Sequence, residues 1–182
     1  MKMLVHRIAN GTASAVALHT AKNHMRVSHN DDDAAIAIMI DAATAEIEQF
    51  AQIALLNQTI RVVIFDPAIE CSLTLPIGPT ADDTVPTVTI DGEPFTAFTF
   101  EGGARPYIRW RAPFYELLPD RLTIEYQAGF GASEQDVPRD LAQAVMDQAA
   151  LYYDGRSPMG AKSLTTSPHM ARIAARYRGV SL

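Results

Sequence analysis

The stretch "YQAGFGASEQDVPRDLAQAV", Tyr126 to Val145, leads from a strand-like run through Gly129-Phe130-Gly131 into a helix-like run. Bare backbone in such a turn can approach a pyrophosphate at a helix N-terminus, which makes phosphate chemistry the first possibility to weigh. A dinucleotide loop needs G-x-G-x-x-G, but here Glu134 stands at the third glycine position and Asp136 follows. Both side chains would repel a phosphate, and no G-x-x-x-x-G-K-[ST] occurs elsewhere. A turn that uses glycine's access to positive φ is the better reading of Gly129 and Gly131.

The other reactive residue types fare no better. Calcium loops space their ligands at alternate positions around a central glycine, whereas Asp31-Asp32-Asp33 runs straight into Ala34-Ala35-Ile36. That triplet suits helix capping and a first helical turn. His6, His19, His24, His29 and His169 form neither H-x-x-x-H nor H-E-x-x-H, so zinc is poorly supported. Ser14, Ser28 and Ser157 lack a G-x-S-x-G elbow. Glu46 and Glu48, two apart on a helix, face different ways, which is wrong for a paired acid and base. Local pattern therefore proposes no catalytic, cofactor or metal residues, and it does not address a site assembled from distant positions.

Charge carries more information. Five of the fifteen basic residues (Arg156, Lys162, Arg172, Arg176 and Arg178) and none of the twenty-one acidic ones lie in residues 155–182. The net charge of −6 is thus −11 on the first 154 residues and +5 on the tail. A basic tail on an acidic body suits docking onto an acidic protein patch or onto nucleic acid, and equally suits a solvated end. A nucleic-acid-binding accessory protein is the alternative reading, although five charges without interleaved aromatics make a weak footprint.

These residues must be positioned by about 182 residues, enough for one domain with a real core. No apolar run is long enough to span a membrane as a helix. His6 and Arg7 interrupt the apolar N-terminal run, which argues against a secretory leader and for cytoplasmic synthesis. Cys71, the single cysteine, lies in the strand-like "CSLTL" and reads as a buried small hydrophobe.

Apolar periodicity predicts a short helix over 20–27 capped by Thr20. It predicts a long one over 32–55 with Ile36, Met39, Ile40, Ala43, Ile47 and Phe50 on one face. A β region over 58–127 follows. Within it Asp91-Gly92 signals a hairpin, and "RLTIEY" alternates inward Leu122, Ile124 and Tyr126 with polar residues, as antiparallel strands do. A helix over 138–154 opens with Pro138 in its first turn. Residues 155–167 read as an arm, and Ser167-Pro168 cap a short helix over 168–178. In that helix Met170, Ile173, Ala174 and Tyr177 line one side, with Arg172 and Arg176 on the other. The order of helices, a block of antiparallel strands, then helices gives an α+β class with segregated elements over 1–154 and a basic C-terminal arm (155–182) ending in a short helix.

Two separated pieces, Leu18–Leu55 and Leu122–Arg156, together resemble the head–tail connector (adaptor) proteins of long-tailed bacteriophages and of gene transfer agents. The first piece carries Leu18, then Ala21, Lys22, His24, Met25, Arg26 and Val27, then the acidic cluster with Asp32 and Asp33 opening an Ala- and Ile-rich helix. The second carries Tyr126, Ala128, Gly129, Phe130, Gly131, Val137, Pro138, Tyr152, Tyr153 and Arg156. The tail beyond Arg156 is longer than the family's core pattern.

The resemblance implies a fold that is a small helical bundle with an inserted antiparallel β region, and a structural virion protein without catalysis or cofactor, placed at the capsid vertex and neck. It implies a ring, usually of twelve subunits, beneath the portal protein. Such a ring extends the DNA channel, contacts DNA without specific binding, and receives a stopper or head-completion protein. An acidic body suits a channel wall that passing DNA must not stick to. Arg156, Lys162, Met170, Arg172, Ile173, Arg176, Tyr177 and Arg178 are the expected portal-binding residues. Lys22, Arg26, Asp32, Asp33, Gly129, Gly131 and Pro138 are the expected structural motif.

Overall fold

Branched and aromatic residues alternating with polar ones dominate residues 58–128, and they build sheets; alanine-rich runs on either side build helices. The computed structural model describes residues 2–156 and 166–178. Most of the expected arm, including Lys162, lies outside the described residues. The chain divides into two compact units, Met1–Thr12 with Asn57–Phe130, and Ala13–Leu56 with Gly131–Leu182.

The first unit holds a five-stranded antiparallel sheet. Its strands are β1 (Lys2–Ala9), β2 (Gln58–Phe65), β4 (Thr87–Ile90), β5 (Glu93–Pro94) and β8 (Arg121–Ala128), in the order β1-β2-β8-β4-β5. A three-stranded sheet orders β3 (Ser72–Thr74), β7 (Tyr107–Trp110) and β6 (Phe98–Glu101) as β3-β7-β6. Register places Ile60, Val62 and Ile64 opposite Tyr126, Ile124 and Leu122, so the inward positions of neighbouring strands coincide. All six are buried, and each contributes roughly 1.5–3 kcal/mol of apolar transfer free energy. Trp110 stacks on Phe114 of the 3₁₀ turn Ala112–Glu116, ring centroids 4.3 Å apart. The hairpin expected at Asp91-Gly92 joins β4 to β5, with both residues at positive φ (51° and 94°).

The second unit packs α1 (Leu18–Met25), α2 (Asp33–Ala51), α3 (Arg139–Gly155) and α4 (Pro168–Tyr177). Ile36, Ile40, Ala43 and Ile47 of α2 and Leu141, Ala144, Val145 and Ala149 of α3 are buried, as the 3.6-residue period requires. Met170, Ile173 and Ala174 bury the inner face of α4 in the same core.

Several expectations shift. The first helix starts at Leu18 behind Ala17 rather than at a Thr20 cap, and it ends at Arg26, whose left-handed φ of 59° lets the Val27 amide donate to the Lys22 carbonyl. The long helix stops at Ala51 instead of 55, because Gln52 turns left-handed and the Glu48 carboxylate accepts from the Leu55 amide at 2.7 Å. Pro138 precedes α3 with extended ψ (133°) rather than sitting in its first turn. Cys71 is exposed, because β3 begins one residue later. Strand β1 had no sequence forecast: Leu4-Val5 breaks the alternation, and an edge strand keeps exposed residues on both faces.

Tyr126 is the polar exception in the sheet core. Its hydroxyl donates to the Ile77 carbonyl (2.9 Å) and accepts from the Ile77 amide (3.2 Å), fixing the β3–β4 connection. Burial pushes the phenol well above its ordinary value. Tyr126→Phe leaves both Ile77 groups unpaired and should cost about 1–3 kcal/mol in chemical denaturation. Because the folded pKa is raised, the wild type should lose stability above about pH 10, where the unfolded phenol ionises first. The variant should lose less over the same window.

Candidate interaction site

The residues singled out by the sequence meet in the helical unit, and most of them bind each other. Lys22 reaches from α1 to Asn30 (2.7 Å) and to Asp33 (2.5 Å) at the start of α2, so a buried stem and a satisfied ammonium lock that corner. Asp32, the residue before α2, accepts from Tyr153 (2.7 Å) and from Arg156 (2.9 Å) at the far end of α3. The Arg156 guanidinium also lies 3.8 Å from the Tyr153 ring centroid. The Arg156 hydrogen bond, then that of Tyr153, holds the Asp32 carboxyl well below the usual carboxylate range. Asp32 and Asp33 are thus helix-joining residues, while Asp31 is exposed beside His29.

Gly131 belongs to a closed turn. Asp136 accepts from the Ser133 amide and hydroxyl at 3.0 and 2.9 Å, and those bonds depress its carboxyl. A Cβ on Gly131 would stand 2.3 Å from the Asp136 side chain, so only glycine fits there. Gly129 takes the expected positive φ (145°), whereas Gly131 does not and is required by space alone. The carboxylate that would have repelled a phosphate occupies the turn itself.

Helix α4 is tied down by acids, of which Asp140 and Asp147 were not singled out from the sequence. Arg176 donates to Asp140 (2.7 Å), and Tyr177 donates to the other oxygen of the same carboxylate (2.9 Å). Burial, then Asp140, raises the Tyr177 phenol. Asp147 faces both His24 and His169. The buried Gln148 side chain accepts from the Ser167 amide at 2.7 Å, and Ser167 caps α4 as expected. Glu46 accepts from Thr166 (2.7 Å) and from Tyr152. The only forecast of these acceptors was the helical period, which puts Asp140 and Asp147, seven residues apart, on one side of α3 and Gln148 on its inward face.

Of the expected docking residues, Met170 and Ile173 are core, Tyr177 is half-buried, and Arg156 and Arg176 are exposed but ion-paired. Arg172 and Arg178 are exposed, the latter 5.8 Å from the Phe50 ring. Among the described residues no cluster of His, Cys, Asp and Glu could hold a metal. An apolar cavity in the first unit, lined by Ile64, Leu73, Trp110, Phe114 and Leu122 among others, measures about 40 Å³, too small for a nucleotide. None of the described helices is long and apolar enough to cross a membrane.

Comparison with known proteins agrees with this arrangement. Residues 16–83 match the family model described as phage gp6-like head-tail connector protein. The chain is similar over its length to chains of three solved structures, each 28% identical, with 98% of this chain and 97% of the other covered. They are the neck of an empty GTA particle computed with C6 symmetry (TM-score 0.78), the virion of a native gene transfer agent (GTA) particle (0.79), and the neck of a native GTA particle computed with C12 symmetry (0.76). No curated protein matches the sequence.

Two variants probe the knit of the helices. Met170→Ala in the isolated chain should lower stability by about 2–5 kcal/mol, as loss of a core side chain does. Asp32→Asn should lower the melting temperature by an amount that is full above about pH 4 and closes as pH falls toward the depressed folded pKa, where acid neutralises the wild-type carboxylate too. Melting curves across pH check it; a deficit independent of pH would mean that shape, not charge, holds the corner.

Proposed function

We infer that the chain belongs to the phage gp6-like head–tail connectors and is a ring-forming structural subunit in the neck of a phage or gene-transfer-agent particle. The observation that carries this reading is the likeness to chains of symmetric gene transfer agent necks, extending over 98% of this chain. The family match covers residues 16–83, spanning α1, α2, β2 and β3, and includes Lys22, Asp32 and Asp33. A virion neck is where such a subunit works.

Within that role, its partners are a portal protein above and a stopper or head-completion protein below, with DNA passing through the ring unread. It performs no catalysis. The acidic body keeps a passing duplex from adhering, and the basic end, residues 155–182, docks onto an acidic surface of the portal. Because the inner face of α4 is core, the docking face is its outer side, with Arg172 and Arg178 as the charges that meet the portal. Pairing of Arg156 and Arg176 with the protein's own acids leaves little for a phosphate backbone, which favours the portal over nucleic acid as the target.

The test is assembly in cells. Particles made without this chain should be filled heads lacking tails, and the wild-type gene should restore a ring visible at the vertex by electron microscopy. Normal tailed particles in its absence would end the connector reading. Deletion of 157–182 removes Met170 from the core, so docking is read instead from Arg172→Glu with Arg178→Glu. That pair should keep the fold and cut attachment to portal-bearing heads at least about tenfold, the effect of reversing paired interfacial charges. Unchanged attachment would remove the docking role of α4 while leaving the ring.

A further inference from the structure

The two outer edges of the five-stranded sheet differ in a way that the fold of one chain does not explain. On one side β1 runs eight residues in unbroken register, Lys2 opposite Phe65 through Ala9 opposite Gln58, and pairs with β2 alone. Long edges are ordinarily blunted by proline, bulges or inward charges. Here the edge has no proline and no bulge; Arg7, opposite the core residue Ile60, is its one charge on the inward side, while Leu4, Val5 and Ile8 are 39, 39 and 43% exposed. Its segment, residues 1–12, carries Lys2 and Arg7 and no acid.

The opposite edge is the β4–β5 hairpin and the loop that enters it. Val85 stands 86% exposed in that loop, beside exposed Asp82 and Asp83, with exposed Glu93 in the hairpin. From Ser72 to Ala104 there is no basic residue, against five acidic ones. Each edge therefore offers apolar side chains, and their charges are opposite in sign. Four interstrand spacings, about 19 Å, keep them separate surfaces.

We propose that these edges are the two halves of one self-contact, in which the β1 edge of one copy meets the Val85 edge of the next. The proposal rests on the ring reading and names the surfaces that close the ring. A face meeting a different face is the heterologous contact that cyclic assembly requires. A two-fold contact of β1 on β1 would instead set two edges of like charge against one another, each carrying Lys2 and Arg7. Complementary charge steers the copies into head-to-tail register, and the apolar residues supply the buried surface.

Cross-linking in assembled particles tests it. Cys71 is exposed and is the chain's single cysteine, so Cys71→Ser gives a clean background. Leu4→Cys together with Val85→Cys, treated with a flexible bismaleimide, should give a ladder of dimer, trimer and larger species on a denaturing gel. Each single-cysteine variant should stay monomeric. A dimer from Leu4→Cys alone would establish a two-fold contact and overturn the proposal, as would an absent ladder in particles whose necks contain the ring. Particles with no copy of the chain in the neck would overturn the ring reading itself. Leu4→Asp with Ile8→Asp, at solvent-facing positions, gives a second readout: an unchanged melting curve with loss of the ring is expected, and rings formed as by wild type would refute the β1 half.

Discussion

Residues 52–138 separate α2 from α3, and the helical unit exists only because those helices find each other across that long loop. The closure entropy of such a loop grows slowly with length but is paid in full before any contact forms. Isoleucines on α2 facing leucine, valine and alanine on α3 supply the attraction, yet apolar faces alone tolerate sliding by a turn. The Asp32 carboxylate removes that freedom, since Tyr153 and Arg156 can both reach it in one register only. Lys22 with Asp33, and Glu46 with Tyr152 and Thr166, then set the helices on either side.

This explains why residues that look chemical are architectural. Asp32, Asp33, His24, His169 and the Gly131 turn are reactive types in other settings, but here their polar groups are matched within the helical unit. His24 and His169 share Asp147, and Asp136 fills its own turn. A protein whose work is to hold position needs such internal satisfaction more than it needs an unpaired nucleophile.

How much was legible follows from what kind of information each element carries. The α2 and α3 faces, the Asp91-Gly92 turn, the Ser167 cap and the α+β class were readable because period and turn chemistry are local. The end of α2 was not, since it depends on Glu48 folding back to an amide seven residues on. Strand β1 was invisible because pairing with β2, some fifty to sixty residues further on, makes it a strand, whereas its own alternation is broken. The acids that anchor α4 were unreadable for the same reason: Asp140 and Asp147 acquire meaning only once α4 lies beside them. The family resemblance succeeded where local pattern stopped, because order and spacing of motifs preserve long-range pairing that a window of residues does not show.

The chain passes between its two units three times, after Thr12, after Leu56 and after Phe130. Neither unit is therefore a continuous segment that truncation could isolate. During synthesis the sheet waits for β8 before β2 has its second neighbour, and the helices wait for α3, which emerges just after. Most of the protein must leave the ribosome before either core can close. The interleaved threading thus ties both cores to the later part of the chain: a nascent segment ending before α3 carries neither a finished helical core nor one that truncation could set free.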